Sequence, residues 1–134
     1  VELRSPLRVL LVDDDEAVRA AVRTLLEGGG CTVVAEAGDG AGAVRAAHDP
    51  SLSFDVVLSD VEMPGPKGMA LVHELRRARA RLPIVFLSGY ASSRHFAAEF
   101  RAHGIELVAK PPAPGELLGA LQRAASRAQA APDR

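Results

Sequence analysis

Five side chains capable of phosphoryl or metal chemistry stand at the ends of short apolar runs. Asp13 and Asp14 close the run over 7–12, Asp60 comes soon after the one over 56–58, Ser88 follows 83–87, and Lys110 follows 105–109. An apolar run of four to six residues bounded by turn chemistry reads as a strand buried on both faces of a parallel sheet. The carboxyl ends of such strands form the edge where open α/β sheets bind ligands. Taken alone, Asp60 could be a nucleophile, a metal ligand or a loop cap. The company it keeps narrows the choice. Three carboxylates brought together repel one another and call for a cation. Hard oxygen donors in a solvent-facing loop suit Mg²⁺, which keeps several waters and takes few protein ligands. A lysine and a hydroxyl converging on the same point suit a phosphoryl group, the ammonium neutralising an oxygen and the hydroxyl donating to one. Asp60 is then the natural nucleophile, since a carboxylate can form an acyl phosphate.

The elements that must position these groups alternate strictly. Strands are expected over 7–12, 31–36, 56–60, 83–87 and 105–109. Helices are expected after each: one with Val18, Ala21, Val22, Leu25 and Leu26 on a single face, then ones marked by Ala43, Val44 and Ala47, by Leu71, Val72 and Leu75, by Phe96, Ala97 and Phe100, and by Leu117, Leu118 and Leu121. Asp15 reads as the N-cap of the first helix rather than a metal ligand, and Gly28-Gly29-Gly30 stops that helix. Pro66, Lys67 and Gly68 open the third. Strand and helix in alternation imply a parallel sheet covered on both faces.

Composition bounds the class. The chain has 134 residues, 48% hydrophobic and 25% charged, which suits one packed domain. Net charge is −1, so bulk electrostatics point to neither direct nucleic-acid binding nor a membrane surface. Cys31 is the single cysteine, which excludes an internal disulfide and reads as a buried strand residue. No apolar run reaches membrane-spanning length, and membrane insertion is not expected; a cytoplasmic location is the expectation. The organisation expected is an N-terminal extension over 1–5, a domain over 6–127 and a tail or linker over 128–134. The chain opens on Val1 rather than Met and so could be a piece of something longer.

The motifs Val9-Leu10-Leu11-Val12-Asp13-Asp14-Asp15, Leu58-Ser59-Asp60-Val61-Glu62-Met63-Pro64-Gly65, Phe86-Leu87-Ser88-Gly89-Tyr90 and Ala109-Lys110-Pro111 occur in that order at strand ends. Together they resemble the receiver domain of two-component response regulators, over roughly residues 6–125. The resemblance implies a flavodoxin-like (βα)5 sandwich whose five-stranded parallel sheet has the order 2-1-3-4-5, with helices on both faces. It implies a phosphoaccepting signalling domain that takes a phosphoryl group from a histidine kinase or a histidine phosphotransfer protein, with Mg²⁺, and changes conformation. It is thus a regulatory domain rather than an enzyme, beyond its own phosphoryl transfer and dephosphorylation. Residue by residue, Asp60 matches the phosphoacceptor. Asp13, Asp14, Asp60 and the backbone carbonyl of Glu62 match the metal ligands, Asp13 acting through water. Ser88 and Lys110 match the groups that stabilise the phosphoryl group, and Pro111 the proline that such domains hold in a cis peptide. The fourth helix, fifth strand and last helix form the face through which a homodimer could assemble. The stretch Phe86-Leu87-Ser88-Gly89-Tyr90 resembles receivers attached to hybrid histidine kinases.

The departures fall on the switch. Leu107 stands where the family has Tyr or Phe, Pro112 where Phe often follows Lys-Pro, and Lys67 where an Asp is common. Tyr90 and Leu107 are therefore the candidate switch and gating positions. With leucine at 107, phosphorylation is expected to reorganise the loop after Ser88 and the start of the fourth helix, leaving the fifth strand nearly still. The remaining polar residues have bland readings. His48, His73, His95 and His103 lack metal-ligand spacing and read as surface residues, and the Glu62 side chain reads as solvated. Arg76, Arg77, Arg79 and Arg81 read as complements to the third helix's dipole. Two rival functions remain. A haloacid-dehalogenase-type phosphatase also uses an aspartyl nucleophile, but expects a second Asp where Glu62 stands and a cap insertion. A degenerate receiver would act only as a binding module.

Overall fold

The computed structural model describes residues 6–63, 65–66, 68–89 and 97–130. Tyr90, and with it Pro64, Lys67, His95 and Phe96, lies outside the described residues. In chain order the elements are β1 (Arg8–Val12), α1 (Glu16–Gly28), β2 (Thr32–Ala37), α2 (Gly40–Ala47), β3 (Val56–Asp60), α3 (Gly68–Ala78), β4 (Ile84–Ser88), helical residues 97–102 (α4), β5 (Glu106–Ala109) and α5 (Pro114–Ala130). All four strand pairings are parallel and the order is β2-β1-β3-β4-β5. This is the flavodoxin-like sheet that the resemblance implied.

Strand periodicity divides the core in two. Val9, Leu11, Val56, Leu58, Val85 and Leu87 face Val22 and Leu26 of α1 and Leu117, Ala120 and Leu121 of α5. Their neighbours Leu10, Val12, Val57, Ile84 and Phe86 face Ala43 and Ala47 of α2, Leu71, Val72 and Leu75 of α3, and Phe100 of α4. β3 and β4 are buried at every position, as parallel strands between two helical layers must be. Phe86 stacks on Phe100 with centroids 4.8 Å apart.

Asp15 caps α1 through its carboxylate, which accepts from the Ala17 and Val18 amides at 2.9 and 3.1 Å. β2 begins one residue later than expected. The Cys31 amide donates to the Leu26 carbonyl and closes the turn after α1, and the ladder starts only with Thr32 N–H on the Leu7 carbonyl. Cys31 itself is buried.

The arginines at the end of α3 do more than complement its dipole. Arg76 donates to the carbonyls of Leu82 and His103. Arg79 donates to those of Ala47, Asp49 and Leu52 at 2.7–2.8 Å, and its guanidinium lies 4.2 Å from the centre of the Phe54 ring. The loop between α2 and β3 thus has its orphan carbonyls satisfied by one side chain from a neighbouring helix. Substituting Arg79→Met should lower stability by about 2 kcal/mol, the net worth of several hydrogen bonds to a charged donor. Arg77→Met, at an exposed position, should change it by less than about 0.5 kcal/mol. Urea unfolding with an unchanged m-value checks both.

Candidate functional site: an acidic cluster at the carboxyl edge of the sheet

Parallel pairing brings the five groups to one edge. Val12 is level with Ser59, Asp60 with Leu87, and Ser88 with Ala109, so Asp13, Asp60, Ser88 and Lys110 lie at adjoining strand ends. Asp13 and Asp60 are buried, at 2% and 5% exposure, while Asp14 is exposed. Ligand atoms of Asp13, Asp14 and Asp60 all fall within 4.8 Å of one another.

Each side chain is held by its local backbone. The Asp13 amide donates to the Ala37 carbonyl at the end of β2. Its Oδ1 accepts from the Asp15 amide at 2.9 Å, and its carbonyl accepts from the Arg19 guanidinium. Asp60 Oδ1 accepts from the Glu62 amide at 3.2 Å, which folds the chain back over the carboxylate immediately after β3. Lys110 is fixed by its own amide on the Ser88 carbonyl at 2.9 Å, and the peptide that follows it, to Pro111, is cis. Lys110 Nζ then reaches Asp60 Oδ2 at 3.2 Å and Asp13 Oδ2 at 3.7 Å. Ser88 is fully buried and its hydroxyl donates to the Gly89 carbonyl at 2.8 Å.

The charges do not balance. Among the described residues, Lys110 is the one cation paired with Asp13 and Asp60, with Asp14 beside them, and the buried Oδ2 of Asp13 accepts no hydrogen bond. Burial pushes the Asp13 carboxyl above its ordinary range, and Asp60 and Asp14 add to that. The Asp15 hydrogen bond and Lys110 pull the other way. An orphaned buried oxygen in a group of oxygen donors is a fit for a hard divalent cation, with Asp13, Asp14 and Asp60 supplying carboxylates. Glu62 brings its exposed side chain and its backbone to the rim of the same group.

Leu107 lies away from this cluster. It is level with Phe86 on β5, half-buried, and lines a groove of about 610 Å³ with Ala97, Arg101, Ile105, Glu106 and Arg127. Glu106 receives both Arg123 and Arg127 of α5, which hold its carboxyl below the usual range. His73 and His103 meet edge to face at 6.0 Å, both exposed.

Two features of the site were not read from the sequence. The Arg19 contact to the Asp13 carbonyl carries no local signal, because it depends on how α1 packs. The Asp15 amide on Asp13 was legible, being the common two-residue Asx pattern.

Residues 9–122 match the family model of the response regulator receiver domain. The chain belongs to that family. The nitrate/nitrite response regulator protein NarP of Escherichia coli K12 is 43% identical over 95 residues, which are 69% of this chain and 43% of NarP. Response regulator UvrY of the same organism is 35% identical over 117 residues, 87% of this chain and 53% of UvrY. The chain thus spans about half the length of these curated relatives. Among solved structures, the receiver domain of the hybrid histidine kinase CckA superposes with a TM-score of 0.70 at 30% identity, covering 88% of this chain and 98% of the CckA domain. Response regulators and sensor kinases are both similar to this receiver domain.

A folded-state pKa above the ordinary carboxylate value of 3.8 means that the native domain binds the Asp13 proton more tightly than the unfolded chain does. The corresponding stability is fully present below 3.8 and is lost as pH rises through the higher folded value. At neutral pH the ionised Asp13 is therefore a net cost. Asp13→Asn should raise the stability of the metal-free domain at pH 7 and flatten its pH dependence above 3.8. Added Mg²⁺ should stabilise the unsubstituted domain more than it stabilises Asp13→Asn. Urea titrations with Mg²⁺ or with a chelator, at several pH values, check all three.

Proposed function

We propose that this receiver domain accepts a phosphoryl group on Asp60 from a phosphohistidine donor, a histidine kinase or a phosphotransfer protein, with Mg²⁺ held by Asp13, Asp14, Asp60 and the Glu62 backbone carbonyl. The observation that carries the reading is the buried Asp60 carboxylate paired with Lys110 beside the unsatisfied oxygen of Asp13. A bound Mg²⁺ would neutralise the carboxylates and the incoming phosphoryl oxygens, so that a second anion can approach.

An Asp60 oxygen forms the new O–P bond while the N–P bond of the donor breaks, and the departing imidazole nitrogen keeps the electron pair. Lys110 exchanges its contact with Asp60 Oδ2 for one to a phosphoryl oxygen. Ser88 exchanges the Gly89 carbonyl for another such oxygen. These two exchanges give the phosphorylated form interactions that the resting form lacks, which is what shifts an equilibrium between two conformations. The expected responders are the loop after Ser88 and the start of α4. Leu107, lacking a polar tip, gains no hydrogen bond by turning inward.

The donor has a face to rest on. Val18, Ala21 and Leu25 of α1 join Leu87, Pro111 and Pro112 around an apolar hollow of about 490 Å³, with Lys110 at its border. An amphipathic helix laid along α1 would cover this surface and deliver its histidine beside Asp60.

An acyl-phosphate donor with Mg²⁺ should give an acid-stable, base-labile adduct, and Asp60→Asn should abolish it. An adduct that survives that substitution would remove Asp60 from the role. Steady hydrolysis of a simple phosphate ester would favour the phosphatase reading, and complete failure to load would favour a domain that only binds. A second measurement addresses the donor face. Leu25→Arg should slow transfer from a phosphorylated histidine protein at least tenfold, while loading from the small donor stays within twofold of the unsubstituted rate, about 0.4 kcal/mol.

A further inference from the structure

Asp39 caps α2, its carboxylate accepting from the Gly42 amide at 2.7 Å, and Gly40 is the first helical residue. Gly40 is buried, and its φ lies outside the left-handed region, so its backbone conformation would suit any residue. Space is what excludes a side chain. A Cβ on Gly40 would overlap the carbonyl oxygen of Pro66 and stand 3.0 Å from its carbonyl carbon and 3.2 Å from its Cδ. The backbone at Pro66 therefore rests on the bare α-carbon of Gly40. Gly65, at φ +82°, lies over the same helix end, within 3.8–4.0 Å of the Ala41 and Gly40 amide nitrogens once a Cβ is placed on it.

The segment pressed against Gly40 is the one that leaves Asp60. At its near end the Val61 amide donates to the Leu87 carbonyl, and the Glu62 amide donates to Asp60 Oδ1. Val61 and Met63 are buried. At its far end α3 begins at Gly68 and is anchored by Leu71, Val72 and Leu75 in the core. Pro66, against Gly40, stands four positions after Glu62, whose amide is tied to Asp60, so a displacement at Pro66 acts close to that tie.

We infer that Gly40, through its contact with Pro66, is a positioning residue for the cation site, setting where the Glu62 backbone and the Asp60 carboxylate stand. This rests on the proposed Mg²⁺ site, so the test is built to separate the two. Removing an outer support of a metal site commonly lowers affinity 10- to 100-fold. Isothermal titration of the purified chain with MgCl₂ should show a Kd about tenfold weaker in Gly40→Ala. Exchange of the Glu62 amide hydrogen should be faster in the metal-free variant. Gly42→Ala adds the same methyl to the same helix, where it would meet Ala37 Cβ and Asp39 Oδ1 at 3.2 Å and not the segment after Asp60. It should leave Mg²⁺ affinity unchanged. Pro66→Gly introduces no clash and loosens the contact from the other side; it should weaken Mg²⁺ about threefold and decides the matter if Gly40→Ala does not fold. Unchanged Mg²⁺ affinity in both Gly40→Ala and Pro66→Gly, with normal binding by the unsubstituted chain, would overturn the inference and leave the metal site standing. An equal loss in Gly42→Ala would also overturn it. Failure of the unsubstituted chain to bind Mg²⁺ would remove the metal site, and this inference with it.

Discussion

An unbalanced cluster of buried charge governs this molecule. Asp13 and Asp60 are taken almost entirely out of water, and one partly exposed lysine stands against both. A buried carboxylate that lacks a full set of partners is costly, and breaking up such a cluster one member at a time leaves the rest worse off. The sheet supplies the rigidity that tolerates this. β3 and β4 are buried along their whole length, with a helical layer on each side, so Asp60 and Ser88 cannot drift toward solvent to relieve the strain of desolvation. Such a cluster is one that a cation would relieve.

The surroundings show how local bonding divides this cost. Asp15 spends its carboxylate on capping α1 and its amide on Asp13, so it belongs to the scaffold and not to the cluster's free charge. Glu106 presents the opposite case on the far side of the sheet. Two arginines of α5 hold its carboxyl low, so its contribution to stability is present above the ordinary value of 4.5 and is lost as pH falls through the lower folded one. The partners are about half exposed, which keeps that contribution small. One carboxylate is satisfied and structural; the other is unsatisfied and available.

Support for the cluster also comes from residues with no charge. The segment after Asp60 is bounded by a backbone bond to its own carboxylate and by contact with Gly40. Arg79 similarly secures the loop before β3 through three carbonyls. Both devices tie the element carrying Asp60 to α2 or to the loop that follows it, so β3 is held from its start and its end.

How much was legible beforehand follows from the range of the interactions. Alternation of apolar runs and helical stripes gave five strands and five helices, because each pattern is written within a few residues. The acidic pair, Asp60, Ser88 and Lys110 were legible as chemistry because each sits beside a run that must be a strand. Their common edge followed from reading the sheet as parallel, whereas the sheet order came from resemblance to a family, since strand pairing is a contact between distant segments. The carbonyl contacts of Arg76 and Arg79 went unread for the same reason: their partners lie as far as 32 positions away in the chain. Gly40 has no local signal of its own, and only the approach of Pro66 gives it a task. By itself, then, the sequence determined which elements form and which chemistry stands at their ends, as local periodicity and residue type suffice for that. The tertiary structure alone decided which carboxylate is orphaned, which arginine serves which carbonyl and which glycine must stay bare, because burial and close approach arise only when remote segments pack together.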